Sequence, residues 1–294
     1  MLERRTDKLR EIRLHEPDAI REAARRRRRR PLIGPDGKIF IVAADHPARG
    51  SLGVGTEPMA MADRDDLLER LCVALARPCV DGVLATPDIV EDLLLLGVLE
   101  EKLVIGSMNR AGLVGSVFEL DDRFTAYDVE TIAEMGLDGG KMLCRIAPED
   151  QATAATLEAC GRAITGLAAR RVMAMVEPFW ARRAGEHQVR NELSTEKVIR
   201  SVTVTAALGA TSAYTWLKLP VVADMARVVA ATTLPVVVLG GDPGAREGDT
   251  LEALAAALSL RGVRGLAAGR ALLYPDDEDV AGAIDQMGVA LGRG

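Results

Sequence analysis

From residue 38 onward the chain alternates between short apolar runs and longer stretches of helical spacing. In the first half the runs are KIFIVAAD (38–45), VDGVLAT (80–86), KLVIGS (102–107) and GGKMLCRI (139–146). In the second half they are RVMAMVEP (171–178), SAYTWLKLP (212–220), LPVVVLG (234–240) and VRGLAAG (263–269). Each has the length and the small or β-branched composition of a strand buried on both faces in a parallel sheet. Between them, DRDDLLERLCVALAR and STEKVIRSVTVTAALG place apolar residues along one helical face, and Ser194 opens the second as an N-cap. Eight strands alternating with helices predict a (β/α)8 TIM barrel over 38–294, with an open doubly wound sheet as the other arrangement. No Pro/Gly/Ser tract divides the chain, so residues 1–37 read as an N-terminal helical extension of one domain.

Length and composition agree with this pattern. The 294 residues suffice for one barrel and a large core, and with only 3% aromatics that core must be aliphatic. Four scattered cysteines (Cys72, Cys79, Cys144, Cys160) and three scattered histidines (His15, His46, His187) show no metal-ligand spacing. The expectation is therefore reduced thiols, no metal and no cofactor. The charged opening MLERRTDKLREIR lacks the apolar core of a signal peptide, and no run is long enough to span a bilayer. A cytoplasmic protein that binds no membrane is expected. The six arginines Arg25 to Arg30 suggest either a phosphate-backbone contact or a solvated helix end whose cations suit the helix dipole. A net charge of −6 and the lack of interleaved aromatics favour the second, and no nucleic-acid partner. Apolar helices such as LEALAAALSL suit a subunit interface, hence a homo-oligomer, or simply cover the barrel.

In a barrel, chemistry gathers at the C-terminal ends of the strands. The chain holds 37 basic residues, of which only six are lysines, and two of those six lie inside apolar runs. Strand alternation puts Lys218 on the face of Trp216, with Leu217 and Leu219 opposite. An amine held among apolar walls loses its proton more readily, as Schiff-base chemistry on a carbonyl requires. Lys141 shares a face with Leu143 and Arg145, and serves either to depress that amine further or to pair with an inward carboxylate such as Asp45. Glu177 follows Met173 and Met175 on one face and suits a general acid/base. His46 alternates away from Asp45 and reads as structural. Gly240, Gly241, Gly269 and Arg270 follow the seventh and eighth runs, where barrels frequently bind phosphate. Ser107, Asn109, Arg110 and Arg145 are further candidates to contact a substrate hydroxyl, carboxylate or second phosphate.

With these residues in place, the chain resembles the class I aldolases of the fructose-bisphosphate, tagatose-bisphosphate and deoxyribose-phosphate type. ADHPARGSL is similar to the first-strand Asp motif of that family. GGKMLCRI, MVEPFW and TWLKLPV resemble its fourth, fifth and sixth strands in the tagatose-bisphosphate branch, and VVVLGGD and AAGRALL its phosphate loops. The resemblance implies Lys218 as the Schiff-base lysine, Glu177 as acid/base, Lys141 as supporting lysine and Asp45 as a proton-shuttling or orienting carboxylate. Where the fructose-bisphosphate branch often has a tyrosine, this chain offers Glu177 and then Trp180. Over nearly its full length, including SMNRAGL and DDRFTAYD, it also resembles actinobacterial-type barrels linked to sugar or inositol breakdown. That resemblance suggests 6-phospho-5-dehydro-2-deoxygluconate, cleaved to dihydroxyacetone phosphate and malonate semialdehyde. A small phosphorylated sugar or keto-acid is thus the expected partner. The alternatives are a phosphate-binding isomerase or synthase without a Schiff base, and a non-catalytic barrel that binds a partner through its arginine-rich extension.

Overall fold

The structure, a computed structural model, describes residues 5–240 and 247–293. Eight parallel strands close into a barrel: β1 (Ile39–Ala43), β2 (Gly82–Ala85), β3 (Leu103–Ser107), β4 (Gly139–Ile146), β5 (Met173–Gly185), β7 (Thr215–Leu219), β8 (Val236–Leu239) and β9 (Val263–Ala268). The ladder runs β1 to β5, then β7, β8 and β9, and β9 pairs with β1 to close the ring. This is the (β/α)8 TIM barrel that the alternation predicts. β6 (Gln188–Asn191) lies outside the ring and pairs antiparallel with the far half of β5. The expected fifth run ended at Pro178, so this hairpin over the C-terminal end of the barrel is a feature the apolar pattern missed.

Period-two alternation sorts the strand residues into two cores. Ile39, Ile41, Ile105, Met173, Met175, Trp216 and Val237 point inward and fill the barrel. Phe40, Val42, Val104, Val176, Leu217, Leu219 and Val238 point outward against the helices. Inward positions nearer the C-terminal ends, Lys141, Glu177 and Lys218, belong to the same faces but carry charge. The barrel therefore has an apolar floor and an ionic layer above it. One glycine is needed for closure: a Cβ on Gly265, at φ +143°, would lie 1.8 Å from the Ile39 carbonyl oxygen.

At the opposite, N-terminal end the arginine run does something other than cap a helix. Helix 19–26 ends within it, and the chain continues extended from Arg27. The Arg27 side chain is 1% exposed; it donates to the Lys102 carbonyl at 2.7 Å, the Gly136 carbonyl at 2.7 Å and the Asp138 carboxylate at 3.2 Å. Arg29 holds the other Asp138 oxygen at 2.9 Å. Arg30 and Arg293 hold the two oxygens of Asp81. Asp138 and Asp81 also accept from the Val104 and Phe40 amides, on strands β3 and β1. The solvated helix end expected for this run is thus corrected. Arg27, Arg29 and Arg30 clamp the strand entrances, and Arg28 pairs at the surface with Glu100.

Breaking a buried ion pair by removing one partner costs about 3–5 kcal/mol, because the other charge is left uncompensated. Arg27→Ala should therefore lower the unfolding free energy by about 3 kcal/mol in urea titrations. Arg26→Ala, one residue earlier with an exposed side chain, should change it by less than about 0.5 kcal/mol.

Candidate active site

The ionic layer is one connected chain of alternating charge. Arg110 Nη1 lies 3.0 Å from Asp45 Oδ2, and Lys141 Nζ is 3.1 Å from the same oxygen. Lys141 Nζ also lies 2.5 Å from Glu177 Oε2, and Lys218 Nζ is 2.8 Å from Glu177 Oε1. All five residues are buried, and β1, β3, β4, β5 and β7 supply one each, from the strand or just past its end. Ser107 Oγ also donates to Asp45 Oδ2, at 2.9 Å.

Burial alone would raise both carboxyls, but the cations outweigh it. Arg110 and Lys141 hold Asp45 well below the usual carboxylate range. Lys141 and Lys218 do the same for Glu177. For Lys141 the balance goes the other way: burial pulls it down, Asp45 and Glu177 resist, and it settles at about 8. The site at rest thus holds two ionised carboxylates and a lysine that loses its proton near physiological pH.

These groups open into a cavity of about 1030 Å³ at the C-terminal end of the barrel. Gly240, Gly269 and Arg270 line it on the β8–β9 side, while Arg110 and Arg145 line it on the β3–β4 side, across the ring. Gly269 is pressed against β1, since a Cβ there would lie 2.2 Å from the Ala43 carbonyl oxygen. Gly241 lies outside the described residues.

A family model described as Cgl0159-like matches residues 37–288. The chain belongs to the Cgl0159-like family. The crystal structure of Cgl0159 from Corynebacterium glutamicum (Brevibacterium flavum) is 50% identical over 98% of this chain and 96% of that one, with a TM-score of 0.94. A Schiff-base-forming fructose-1,6-bisphosphate aldolase is similar at 20% identity over 92% of this chain and 99% of that one, TM-score 0.65. An archaeal fructose 1,6-bisphosphate aldolase is similar at 20% identity over 94% of this chain and 100% of that one, TM-score 0.64. At that identity the two aldolases share the barrel fold with this chain. No curated protein matches the sequence.

In this Cgl0159-like barrel, Asp45, Lys141, Glu177 and Lys218 come together as strand parity predicts. Other candidates are placed differently. Lys218 is not an isolated amine among apolar walls: Trp216 lies below it, but its nitrogen is paired with Glu177. Ser107 and Asn109 do not line the cavity. Ser107 supports Asp45, and Asn109 is saturated by the backbone of β4, donating to the Leu143 carbonyl at 2.6 Å and accepting from its amide at 2.8 Å. Arg110 and Arg145 do face the cavity; Arg145 is steadied by Glu119, and Arg110 Nη2 is buried without a hydrogen-bond partner.

Sequence parity also misplaced His46. β1 ends at Ala43, and His46 has helical backbone angles (φ −65°, ψ −42°) at the start of the short turn 47–49. Alternation lapses there, so Asp45 and His46 both line the cavity. Burial, reinforced by Arg270, Lys218 and Lys141 and opposed by Asp45, pushes the imidazole down to about 3 and keeps it neutral. The signal available in the sequence was Pro47, whose fixed φ suits the first position of a helical turn.

Among the described residues no group of three or more His, Cys, Asp or Glu is arranged to hold a metal ion, and no helix is long and apolar enough to cross a membrane. Losing the Asn109 side chain strips two buried backbone groups of β4 of their partners, at about 1–3 kcal/mol each. Asn109→Ala should lower stability by about 2 kcal/mol or more in urea titrations, and Asn109→Asp should not restore it, because a carboxylate cannot donate to the Leu143 carbonyl.

Proposed function

We propose that the protein is a class I aldolase that cleaves a phosphorylated ketose or keto-acid through a Schiff base on Lys218. The observation that carries this reading is the Lys218–Glu177–Lys141–Asp45 chain, set in a cavity that also presents Gly240, Gly269 and Arg270. The resemblance to class I aldolases supports the same assignment. The favoured substrates are 6-phospho-5-dehydro-2-deoxygluconate or a ketose bisphosphate, either of which releases dihydroxyacetone phosphate and an aldehyde.

In this mechanism Glu177 Oε1, at 2.8 Å, takes the proton that Lys218 must lose. The freed amine attacks the ketone carbon, and one proton of its nitrogen passes to the carbonyl oxygen, which becomes the hydroxyl of a carbinolamine. Glu177 returns its proton to that hydroxyl, which leaves as water and gives an iminium. The iminium draws in the electron pair of the neighbouring carbon–carbon bond. As that bond breaks, Glu177 accepts the proton of the departing hydroxyl, producing the aldehyde and an enamine. Protonation of the enamine carbon by Glu177 and hydrolysis by water then release dihydroxyacetone phosphate and the amine. Asp45 and Arg110 orient the hydroxyls. Lys141 keeps Glu177 anionic between proton transfers, so that it is ready as a base. Phosphate held at the β8–β9 end supplies binding energy that aligns the carbonyl with Lys218.

Borohydride reduction with dihydroxyacetone phosphate should leave a covalent adduct that peptide mass mapping places on Lys218. Lys218→Met should abolish it, and Glu177→Gln should lower kcat by about 10²–10⁴-fold, the range for a general acid/base. An adduct on Lys141 reassigns the nucleophile. Absence of any adduct, with cleavage intact in Lys218→Met, overturns the Schiff-base reading.

The pH profile gives a second check. Lys141 is a cation below about 8 and neutral above it. As pH rises through that value, Glu177 loses one of the two charges that hold it ionised and in place. The kcat/KM profile should therefore fall on its alkaline side with a midpoint near 8, and Lys141→Arg, which stays charged, should move that limb upward.

A further inference from the structure

The proposed aldolase mechanism uses Asp45 but leaves its neighbour His46 without a task. The imidazole sits on the cavity wall where the end of β1 meets Gly269 and Arg270 at the end of β9. Its Cε1 lies 3.0 Å from where a Gly269 Cβ would be, so the bare glycine makes room for the ring. Nδ1 is sealed in protein with no hydrogen-bond partner. With Nδ1 sealed and Cε1 against Gly269, the Nε2–Cδ2 edge is what remains to line the cavity. Among the described residues no side chain or backbone group bonds Nε2, and the residue is partly exposed.

An uncharged imidazole carries one proton and one lone pair. Arg270, Lys218 and Lys141 face the ring as cations and Asp45 as the anion, and the balance keeps it uncharged at working pH. A polar ring with an unpartnered, solvent-facing nitrogen at the wall of a cationic cavity has hydrogen-bonding capacity left for a ligand. Nε2–H is the group it can offer to an acceptor in the cavity that Gly269 and Arg270 also line.

We propose that His46 is a phosphate-binding residue, donating from Nε2 to a phosphoryl oxygen held between Gly269 and Arg270. It rests on the phosphate-binding part of the function proposed above, not on the Schiff base. The division of labour is chemical. Arg270 supplies charge and attracts any anion, whereas a neutral donor adds direction, fixing the phosphoryl group in rotation about its ester bond. Because Asp45 is the preceding residue, a phosphate seated on His46 also sets the distance between that group and the hydroxyls that Asp45 orients.

The chain has three histidines, and His15 and His187 are exposed on the surface. Protein labelled with ¹⁵N-histidine therefore reports on the site with few signals. Titration of the wild-type protein with inorganic phosphate, and then with dihydroxyacetone phosphate, should shift the His46 ring nitrogens saturably and leave those of His15 and His187 in place. His46→Gln should weaken phosphate binding by about tenfold and raise KM for a phosphorylated substrate by a similar factor, with kcat nearly unchanged. It should leave KM for the corresponding unphosphorylated ketone unaltered. His46 signals that stay still at saturating phosphate overturn the proposal, as does a KM increase equal for the two substrates. The two readings fail separately. An adduct on Lys218 with unmoved His46 signals removes this phosphate contact and keeps the aldolase. Shifted His46 signals without an adduct keep the contact and remove the aldolase.

Discussion

The site depends on one constraint: five charged side chains are taken out of water together, and none can be charged there alone. An isolated buried ion neutralises itself by shifting its pKa. Here Arg110, Asp45, Lys141, Glu177 and Lys218 alternate in sign, so each anion touches two cations and Lys141 touches two anions. The alternation keeps both carboxylates ionised in spite of their burial. It also leaves the ends of the chain, Arg110 and Lys218, with one anionic partner each within this row. Those ends, an arginine with an unpartnered nitrogen and the lysine assigned as nucleophile, are where such a network has capacity left for a substrate.

The barrel positions this row by simple parity. Lys141, Glu177 and Lys218 occupy the inward phase of β4, β5 and β7; Glu177 and Lys218 stand two residues beyond Met175 and Trp216, which fill the barrel with apolar surface, and Lys141 pairs in register with Met175. The opposite end of the barrel carries charge for a different purpose. Asp81 and Asp138 bind strand amides and arginines at once, tying the chain before β1 and its far end at Arg293 to the entrances of the strands. Chemistry at the C-terminal end and stability at the N-terminal end are the usual partition of this fold. Here the same kind of residue, a buried carboxylate, stands at both ends, and under the proposed function the partner decides which part it plays. Arginine partners at the floor cannot give up a proton; lysine partners at the mouth can.

What was legible in the sequence follows from the range of the interactions. All eight barrel strands were readable because each is a local apolar run, and the inward lysines were readable because alternation is a local rule. Partnership was not. Nothing around Arg27 announces Asp138, 111 positions away, so a run of arginines looked like a solvated helix end. Asn109 looked like a substrate contact because its saturation by Leu143 depends on how β3 lies beside β4. His46 failed for the opposite reason, a local rule carried three residues past the end of its strand. The β5–β6 hairpin was missed because β5 stops being apolar after Ala181 and continues with the exposed Arg182 and Arg183.

The unequal use of the two basic residues is then explained by proton affinity rather than by charge. Lys38 and Lys102 donate to backbone carbonyls at the barrel floor, a task within reach of an arginine at another spacing. At Lys141 and Lys218 the substitution is different in kind. A guanidinium in either place would satisfy Glu177 at least as well, through two parallel hydrogen bonds where an ammonium makes one. It would also fix the carboxylate permanently and keep its own proton at every accessible pH. A chain that chooses arginine for most of its cations, yet places lysine on both sides of one buried glutamate, has given up a stronger ion pair for one that can exchange protons. That exchange is what the proposed Schiff-base step on Lys218 calls for.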